Sequence, residues 1–187
     1  SLGYGVTVEK GSFGSKNVVI GDPGKAKYLV TAHYDTPASI GIPNFITPCN
    51  VLVYLLYQLL LVPVILLIPA LLAALVGFCL PKLGMDVESA AGIAGMVGFI
   101  GVYVMLGLLM FGPANKNCVN DNTSGVAAVM ELMARIPEEN RAKTAFILFD
   151  NEEKGMLGSG AYASSHKNVR KEKLIINMDC VGDGNEI

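Results

Sequence analysis

The sequence predicts an α/β protein in which a mixed β-sheet is flanked by helices and interrupted by two inserted apolar helices. An apolar run at Thr144–Phe149 stops abruptly at Asp150, which is typical of a buried strand with a polar end. After residue 113, helix-like and strand-like segments alternate, as they do in α/β proteins. In contrast, residues 36–81 and 89–115 contain no charged residue, so the chain combines two different kinds of sequence.

The elements are predicted in the order strand, strand, strand, insert, helix, strand, helix, strand. The predicted strands are Val6–Lys10, 17–20, 28–32, Thr144–Phe149 and 173–178, and the predicted globular helices are 126–136 and 156–167. The turn sequence Gly21-Asp22-Pro23-Gly24 precedes the third strand, and Pro37 stops that strand because proline cannot donate to a ladder. Thr123 or Ser124 is the expected N-cap of the first helix, and Pro137 ends that helix.

The two uncharged segments predict an inserted transmembrane helical hairpin. Segments 51–80 and 90–111 both reach the ~20 apolar residues that a helix needs to cross a bilayer. Glycine recurs at every third position from Gly92 to Gly101, which favours close packing of a second helix. The linker 81–89 carries three charges and is expected in water. A buried helical hairpin of a soluble protein is the alternative, although such helices normally keep one polar face.

These patterns divide the chain into three parts. Residues 1–48 are expected to form the first part of the globular domain, 49–112 the inserted two-helix membrane hairpin, and 113–187 the continuation of the globular domain, with its C-terminal part missing. The protein is therefore expected to be an integral, multi-pass membrane protein with the lipid bilayer as a partner. The side of the membrane that carries the globular domain stays open, since Lys82 and Lys116 balance each other around the second segment.

Charge and cysteine content exclude some classes of function. The formal net charge of −2 argues against nucleic acid as a partner. The four cysteines, Cys49, Cys79, Cys118 and Cys180, show no C-x-x-C spacing, so they predict neither a zinc knuckle nor a disulfide framework. The candidate chemistry therefore lies in carboxylate and imidazole side chains.

Carboxylate and imidazole side chains stand at the ends of the predicted strands. They are His33 and Asp35 after the third strand, Glu152 and Glu153 after the fourth, Asp179 after the fifth, and Asp121 just before a helix. The carboxyl ends of parallel strands meet at one edge of a sheet, so these groups are expected to converge. One imidazole with several carboxylates suits Zn²⁺ or another divalent first-row ion, and without a cation so many carboxylates would repel one another. Each group taken alone could equally be a structural histidine, a helix cap or part of a solvated turn.

Four motifs carry a resemblance to a known family. They are His33-Tyr34-Asp35, Asn120-Asp121-Asn122-Thr123-Ser124-Gly125-Val126-Ala127-Ala128, Phe149-Asp150-Asn151-Glu152-Glu153-Lys154-Gly155-Met156-Leu157-Gly158-Ser159 and Asn177-Met178-Asp179. In this order they resemble the motifs of the co-catalytic zinc aminopeptidase family, which includes bacterial leucyl aminopeptidases and glutamate carboxypeptidase-like enzymes. The resemblance implies a zinc aminopeptidase-like fold, and its motifs span most of the chain outside the apolar segments.

The resemblance also implies a role for each residue of the site. The implied metal ligands are His33, Asp121, Glu153 and Asp179, with Asp121 bridging two Zn²⁺ ions. Two catalytic residues are implied: Glu152 as general base, and Asp35 as the acceptor of the free N–H of His33, which would fix its tautomer. The implied activity is zinc-dependent hydrolysis of a peptide substrate, of the aminopeptidase type, by metal-activated water. A complete site of this kind holds two zinc ions.

Two departures from the family pattern bear on function. The apolar segments lie between Asp35 and Asp121, where the family has a short connection. The family also completes its site with a second histidine downstream, whereas the only other histidine here, His166, is interpreted as a solvated surface residue. The activity of this stretch of chain alone therefore stays open. Two alternatives remain: a glutaminyl cyclase-like transferase with a single zinc, and a non-catalytic membrane protein that retains the fold.

Overall fold

The computed structural model describes residues 2–39 and 51–182, and the chain forms two compact units. The globular unit consists of Ser1–Pro37 together with Ala114–Ile187, and the apolar unit consists of Ala38–Pro113. The predicted boundary between residues 48 and 49 lies outside the described residues, as do Cys49 and residues 183–187.

Five strands form one mixed sheet in the globular unit. They are β1 Val6–Lys10, β2 Lys16–Ile20, β3 Tyr28–His33, β4 Thr144–Phe149 and β5 Leu174–Asn177, in the order β1-β2-β4-β3-β5. β2 pairs antiparallel with β1, to which a short turn links it, and also antiparallel with β4. β3 pairs parallel with β4 and β5. The predicted mixed sheet is confirmed, and each strand end lies within one residue of its predicted position.

The helices follow the predicted order, with two additions. They are α1 Val51–Lys82, α2 Val87–Phe111, α3 Gly125–Arg135, α4 Glu138–Arg141, α5 Leu157–Ser165 and α6 Val169–Glu172. The four-residue helices α4 and α6 were not predicted, because one turn is too short to produce a hydrophobic period. α5 ends two residues before its predicted end at 167, since the backbone leaves the helical region at His166.

Two hydrophobic layers enclose the central strands. One consists of Val19, Ala26, Leu29, Ala145, Ile147 and Tyr162, on the side of α5; the other consists of Ile20, Val30, Ala32, Val129, Met133 and Phe146, on the side of α3. Alternate residues of β3 and β4 therefore enter opposite layers, and both faces of these parallel strands are covered. The carboxyl ends of these strands are consequently the place where polar side chains can gather.

The apolar unit contains α1 and α2, which are long and apolar enough to cross a membrane. Almost none of either helix is buried, which is unlike the core helix of a soluble protein. The two helices meet at small residues: a Cβ added to Gly98 would lie 3.2 Å from the Cβ of Ala73, and one added to Gly77 would lie 3.4 Å from that of Ala94. These contacts run in opposite directions along the chain, so the pair is antiparallel.

Gly101 of α2 takes part in this contact, with an added Cβ 3.0 Å from the Cβ of Pro69, but two earlier glycines do not. A Cβ on Gly92 or Gly95 would meet no neighbour within 4 Å among the described residues.

The linker between α1 and α2 is shorter than predicted. Asp86 is the N-cap of α2 and accepts a 2.8 Å hydrogen bond from the backbone N–H of Ser89, so the helix begins at Val87.

The ends of the insertion lie close together in each unit. In the globular unit the N–H of Asn115 donates to the carbonyl of Pro37 (2.9 Å), and in the apolar unit the N–H of Ser39 donates to the carbonyl of Pro113 (2.7 Å). The chain therefore leaves and re-enters the globular unit at nearly the same point.

Candidate metal centre

The structure brings the predicted site residues together at the carboxyl ends of the parallel strands. His33 is the last residue of β3, and its side chain is only 3% exposed. Its Nε2 lies 3.2 Å from Asp121 Oδ1 and 3.6 Å from Asp179 Oδ1. His33, Asp121 and Glu153 each offer a donor atom within 4.8 Å of the other two. Glu152 precedes Glu153 in the same turn, and its negative charge raises the pKa of His33.

Strand register explains this convergence. His33 lies opposite Phe149 in the β3–β4 pair, and Thr31 lies opposite Asn177 in the β3–β5 pair. The glutamates follow β4 by three and four residues, and Asp179 follows β5 by two, so both segments start beside His33. The hydroxyl of Thr31 also donates to Asn177 Oδ1 (2.8 Å), which fixes the end of β5 against β3.

Asp35 contacts the glutamate turn as well as lying beside the imidazole. Its two carboxylate oxygens accept the backbone N–H groups of Glu152 (3.0 Å) and Glu153 (3.2 Å). Its Oδ1 lies 3.5 Å from His33 Nδ1, and that nitrogen makes no hydrogen bond to any part of the chain that the structure describes. Asp35 thus makes two backbone contacts that sequence reasoning missed, and its acceptance of the His33 N–H stays a prediction.

A buried amide positions Asp121. The loop Val119–Ser124 forms one wide turn before α3, and within it Asn122 is 1% exposed. The Nδ2 of Asn122 donates to the carbonyl of Met178 (3.0 Å), while its Oδ1 accepts from the N–H of Gly125 (3.0 Å) and of Cys180 (3.2 Å). Because Met178 and Cys180 flank Asp179, the side chain of Asn122 links the Asp121 loop to the segment after β5.

Ser124 stands at the N-cap of α3, as one of the two predicted positions, but its side chain makes no capping hydrogen bond. The hydroxyls of Thr123 and Ser124 donate to the carbonyls of Cys118 and Asn120 instead of accepting from the first turn of the helix. The side chain of Asn122 takes the capping role. Asn residues are ordinary caps, so the signal was present in the sequence, but the partners across the sheet were not.

The cluster is strongly coupled electrostatically. Burial, followed by the charges of Asp121 and Glu152, raises the pKa of Glu153 to about 8. Burial also raises the pKa of Glu152, although His33 opposes this shift. Burial lowers the pKa of His33, but the neighbouring carboxylates, led by Asp121 and Asp35, outweigh burial and raise it to about 10. Protons therefore balance negative charge that a cation would otherwise neutralise.

The carboxyl of Asp35 behaves differently. Burial would raise its pKa, but the His33 imidazole and the two backbone donors lower the pKa overall. Asp35 therefore stays charged and accepts the backbone N–H groups of Glu152 and Glu153 as a carboxylate.

The spacing of the donors fits a divalent metal ion. Nitrogen and oxygen ligands about 2.1 Å from a tetrahedral ion stand about 3.4 Å apart. The distances from His33 Nε2 to Asp121 and Asp179 lie on either side of that value, at 3.2 Å and 3.6 Å. The Oε1 of Glu153 is buried and accepts no hydrogen bond from the described residues, which leaves it available as a ligand.

His166 lies at the surface, as expected, with its side chain 36% exposed, but it is also held by contacts that were not predicted. Its ring stacks on that of Tyr162 with centroids 4.1 Å apart, and its Nδ1 lies 3.0 Å from the carbonyl of Tyr162. Its Nε2 is 3.8 Å from Glu9 Oε1 on β1. Because α5 stops at Ser165, the histidine folds back over the helix, and its contacts lie outside the metal cluster.

Cysteines form no disulfide within the described ranges, where Cys79, Cys118 and Cys180 are free. This agrees with the sequence prediction for these three. Cys180, however, offers a sulfur atom within 4.8 Å of carboxylate oxygens of Asp121 and Asp179, which sequence reasoning did not consider.

The fold and the site define an α/β protein with a candidate divalent-metal centre at the carboxyl edge of its parallel strands. In a comparison with known protein families, residues 105–187 match the model of peptidase family M28. The resemblance to co-catalytic zinc aminopeptidases is thereby confirmed for residues 105–187, which are a partial match to that family. No curated protein and no solved structure matches the chain.

The match supports metallopeptidase-type hydrolysis in a zinc-dependent family. It contains four predicted site residues, Asp121, Glu152, Glu153 and Asp179. His33 and Asp35 precede the matched residues, and their link to the site is the geometry described above.

Proposed function

We propose that the globular unit is the metal-binding part of a zinc-dependent peptidase of the aminopeptidase type. The observation that carries the proposal is the buried imidazole of His33, spaced from the carboxylates of Asp121 and Asp179 as ligands of one ion are. The buried oxygen of Glu153, which has no hydrogen-bond partner among the described residues, would add a further ligand.

His33, Asp121, Glu153 and Asp179 would hold the zinc, with Asp121 shared between two ions in a complete site. Bound zinc would polarise the scissile carbonyl and make a water molecule acidic enough to attack it at neutral pH. The cluster of carboxylates would then be neutralised by metal instead of by protons.

Glu152 would act as the general base. Its carboxyl is half-buried and its pKa is raised by burial, which suits a group that takes a proton from water and returns it to the leaving amine. The hydrogen bonds from Glu152 and Glu153 to Asp35 fix the backbone of the turn. Adjacent side chains of such a turn diverge, so one glutamate can bind metal while the other moves protons.

The apolar unit would anchor the enzyme in a bilayer. α1 and α2 have the length and composition of membrane spans, and their apolar side chains face outward. As an antiparallel transmembrane pair, they would return the chain to the side it left. The adjacent ends of the insertion, joined through Pro37 and Asn115, support this arrangement. The protein would then be an integral, multi-pass membrane protein whose partners are the bilayer and a peptide substrate.

The test is an activity assay on the full-length protein in detergent, with and without zinc. The expected result is release of the N-terminal residue from short peptides, abolished by a chelator and restored by zinc. Formation of pyroglutamate from N-terminal glutamine without peptide cleavage would favour the glutaminyl cyclase-like transferase. Zinc binding with neither reaction would identify a non-catalytic protein that retains the fold.

A further inference from the structure

Two exposed apolar side chains stand together beside the turn between β1 and β2. Phe13, in this turn, is 87% exposed and has a left-handed backbone (φ 53°). Met156, three residues after Glu153, is 60% exposed and also left-handed (φ 57°). Both line one open groove between the turn and α5, and we call this pair the apolar tip. Side chains so exposed add little to the core, and a left-handed backbone suits glycine or asparagine better, so folding alone does not explain the tip.

Two lysines flank the apolar tip without a counter-charge. Lys10 and Lys16 lie directly opposite each other in the β1–β2 pair, and both are exposed. Neither forms an ion pair with a carboxylate in the part of the chain that the structure describes. Like charges opposite each other across two strands repel, so this pair costs stability unless anions lie nearby. Lysines on an edge strand can also prevent strand pairing, but that role needs no exposed ring beside them.

The apolar tip lies at the edge of the sheet from which the apolar segments leave. The backbone N–H of Lys16 donates to Asp150 Oδ2 (2.9 Å), which places the turn beside the carboxyl end of β4. The chain leaves the globular unit at Pro37, four residues after the end of β3, and Asn115 on the returning segment donates to the carbonyl of Pro37. Because β3 and β4 are parallel neighbours, both places belong to one edge. Three residues separate the end of α2 from Asn115, so a short link tethers α2 to this edge.

We propose that the apolar tip and its two lysines dock on the surface of an anionic bilayer. The ring of Phe13 would enter the boundary of the acyl chains, while Lys10 and Lys16 lie among the negative headgroups. The proposal rests on the membrane anchor proposed above and adds a second contact with lipid. The anchor alone leaves the globular unit free to turn on its links, whereas docking would hold the carboxyl edge, and with it the metal centre, toward the membrane surface.

A single fluorescent probe tests the docking, because the chain contains no tryptophan. The full chain with Phe13→Trp is reconstituted into neutral phosphatidylcholine vesicles and into vesicles rich in phosphatidylserine. In the anionic vesicles we expect the emission to shift to the blue and to be quenched by brominated acyl chains. In the neutral vesicles it should stay that of a tryptophan in water. Added salt should reduce the quenching, since it screens exposed charges.

Two further variants separate the tip from the rest of the globular unit. Val6→Trp is the matched control, since Val6 is an apolar residue, 62% exposed, at the opposite end of β1. Its emission should be the same in both vesicles and insensitive to brominated lipid. Lys10→Gln and Lys16→Gln, each added to the Phe13→Trp chain, should lower the ratio of docked to free tip by roughly fivefold per lysine.

Flotation of the vesicles after an alkaline wash distinguishes the anchor from the tip. If the chain floats but the Phe13→Trp emission is unquenched in both vesicles, the docking is overturned, the anchor stands, and a protein partner suits the tip better. Equal quenching in neutral and anionic vesicles would overturn the role of the lysines and the choice of an anionic surface. A chain that does not float would overturn the anchor and the docking together.

Discussion

The two units of this chain differ in whether their apolar side chains are buried or exposed. In the globular unit, Ala145 and Phe146 are fully buried within the sheet, and the charged groups of the site gather at its edge. In the apolar unit, Leu59 and Leu60 point outward and are each 70% exposed. Such outward-facing apolar side chains on helices long enough to cross a bilayer are the reason for the membrane anchor proposed above. Burial is thus informative only when the solvent of each unit is known.

The largest expected effect is on catalysis, and it distinguishes the role of Glu152 from that of Glu153. In the full-length protein, Glu152→Gln keeps the size of the side chain and removes its basicity. We expect kcat to fall by a factor on the order of 10²–10⁴ with zinc content unchanged. Glu153→Gln is the matched variant and should lose zinc, because a neutral amide is a poor ligand for a divalent ion. Metal analysis with steady-state kinetics measures both, and the reverse pattern would show that the two roles are exchanged.

A charge in the middle of α1 tests whether the apolar unit meets lipid. Leu67 is exposed near the centre of the helix, so Leu67→Lys would be harmless in water but should oppose membrane insertion by roughly 3 kcal/mol. We expect a lower membrane-bound fraction after cell fractionation. Leu83→Lys, in the short linker, is the control and should leave that fraction unchanged. Equal fractionation of Leu67→Lys and wild type would contradict membrane insertion.

Removal of the buried amide tests what holds the site together. Asn122→Ala leaves the N–H groups of Gly125 and Cys180 and the carbonyl of Met178 without their partner. We expect the free energy of unfolding of the globular unit to fall by roughly 1–3 kcal/mol, with weaker zinc binding. Denaturant titration and zinc titration measure these changes. Thr123→Ala, at an exposed neighbouring position, should change both far less, and equal effects would show that the loop has no special anchor.

Zinc affinity should depend on pH in a defined direction. The pKa of Glu153 is about 8 and that of His33 about 10, so both groups hold protons at pH 7 that zinc must displace. Raising the pH weakens this competition, and we expect zinc affinity to rise about tenfold or more per unit between pH 6 and 8. Calorimetry in buffers of different ionisation enthalpy should detect at least one proton released per zinc. Affinity that is flat over this range would show that neither ligand is protonated.

Local sequence patterns predicted most of the fold. The run Thr144–Phe149 and the strand before His33 were visible because buried strands need continuous apolar residues that end where polar groups begin. The convergence of His33, Asp121, Glu153 and Asp179 also followed from strand ends and motif order. The short helices α4 and α6 left no periodic signal, and neither did the early end of α5.

Contacts between distant parts of the chain were the main features that could not be predicted. Asp35 accepts backbone groups of Glu152 and Glu153, which lie 117 and 118 residues further along the chain. Asn122 reaches residues 56 and 58 positions away. Such partners depend on how loops meet after the sheet has formed, and a single sequence carries no local signal for them. The position of Cys180 beside two carboxylates belongs to the same class.

The adjacent ends of the insertion make the apolar unit removable. Since Pro37 and Asn115 are joined by a hydrogen bond, a few flexible residues could replace the whole of Ala38–Pro113 without moving either half of the sheet. If the insertion were a flexible loop, closing it would cost roughly 2–3 kcal/mol of chain entropy more than closing such a short link. The antiparallel helix pair already brings its own ends together, and so lowers this cost before β3 and β4 find each other. The paired helices would thus help the two halves of the sheet to meet, in addition to the membrane anchoring proposed above.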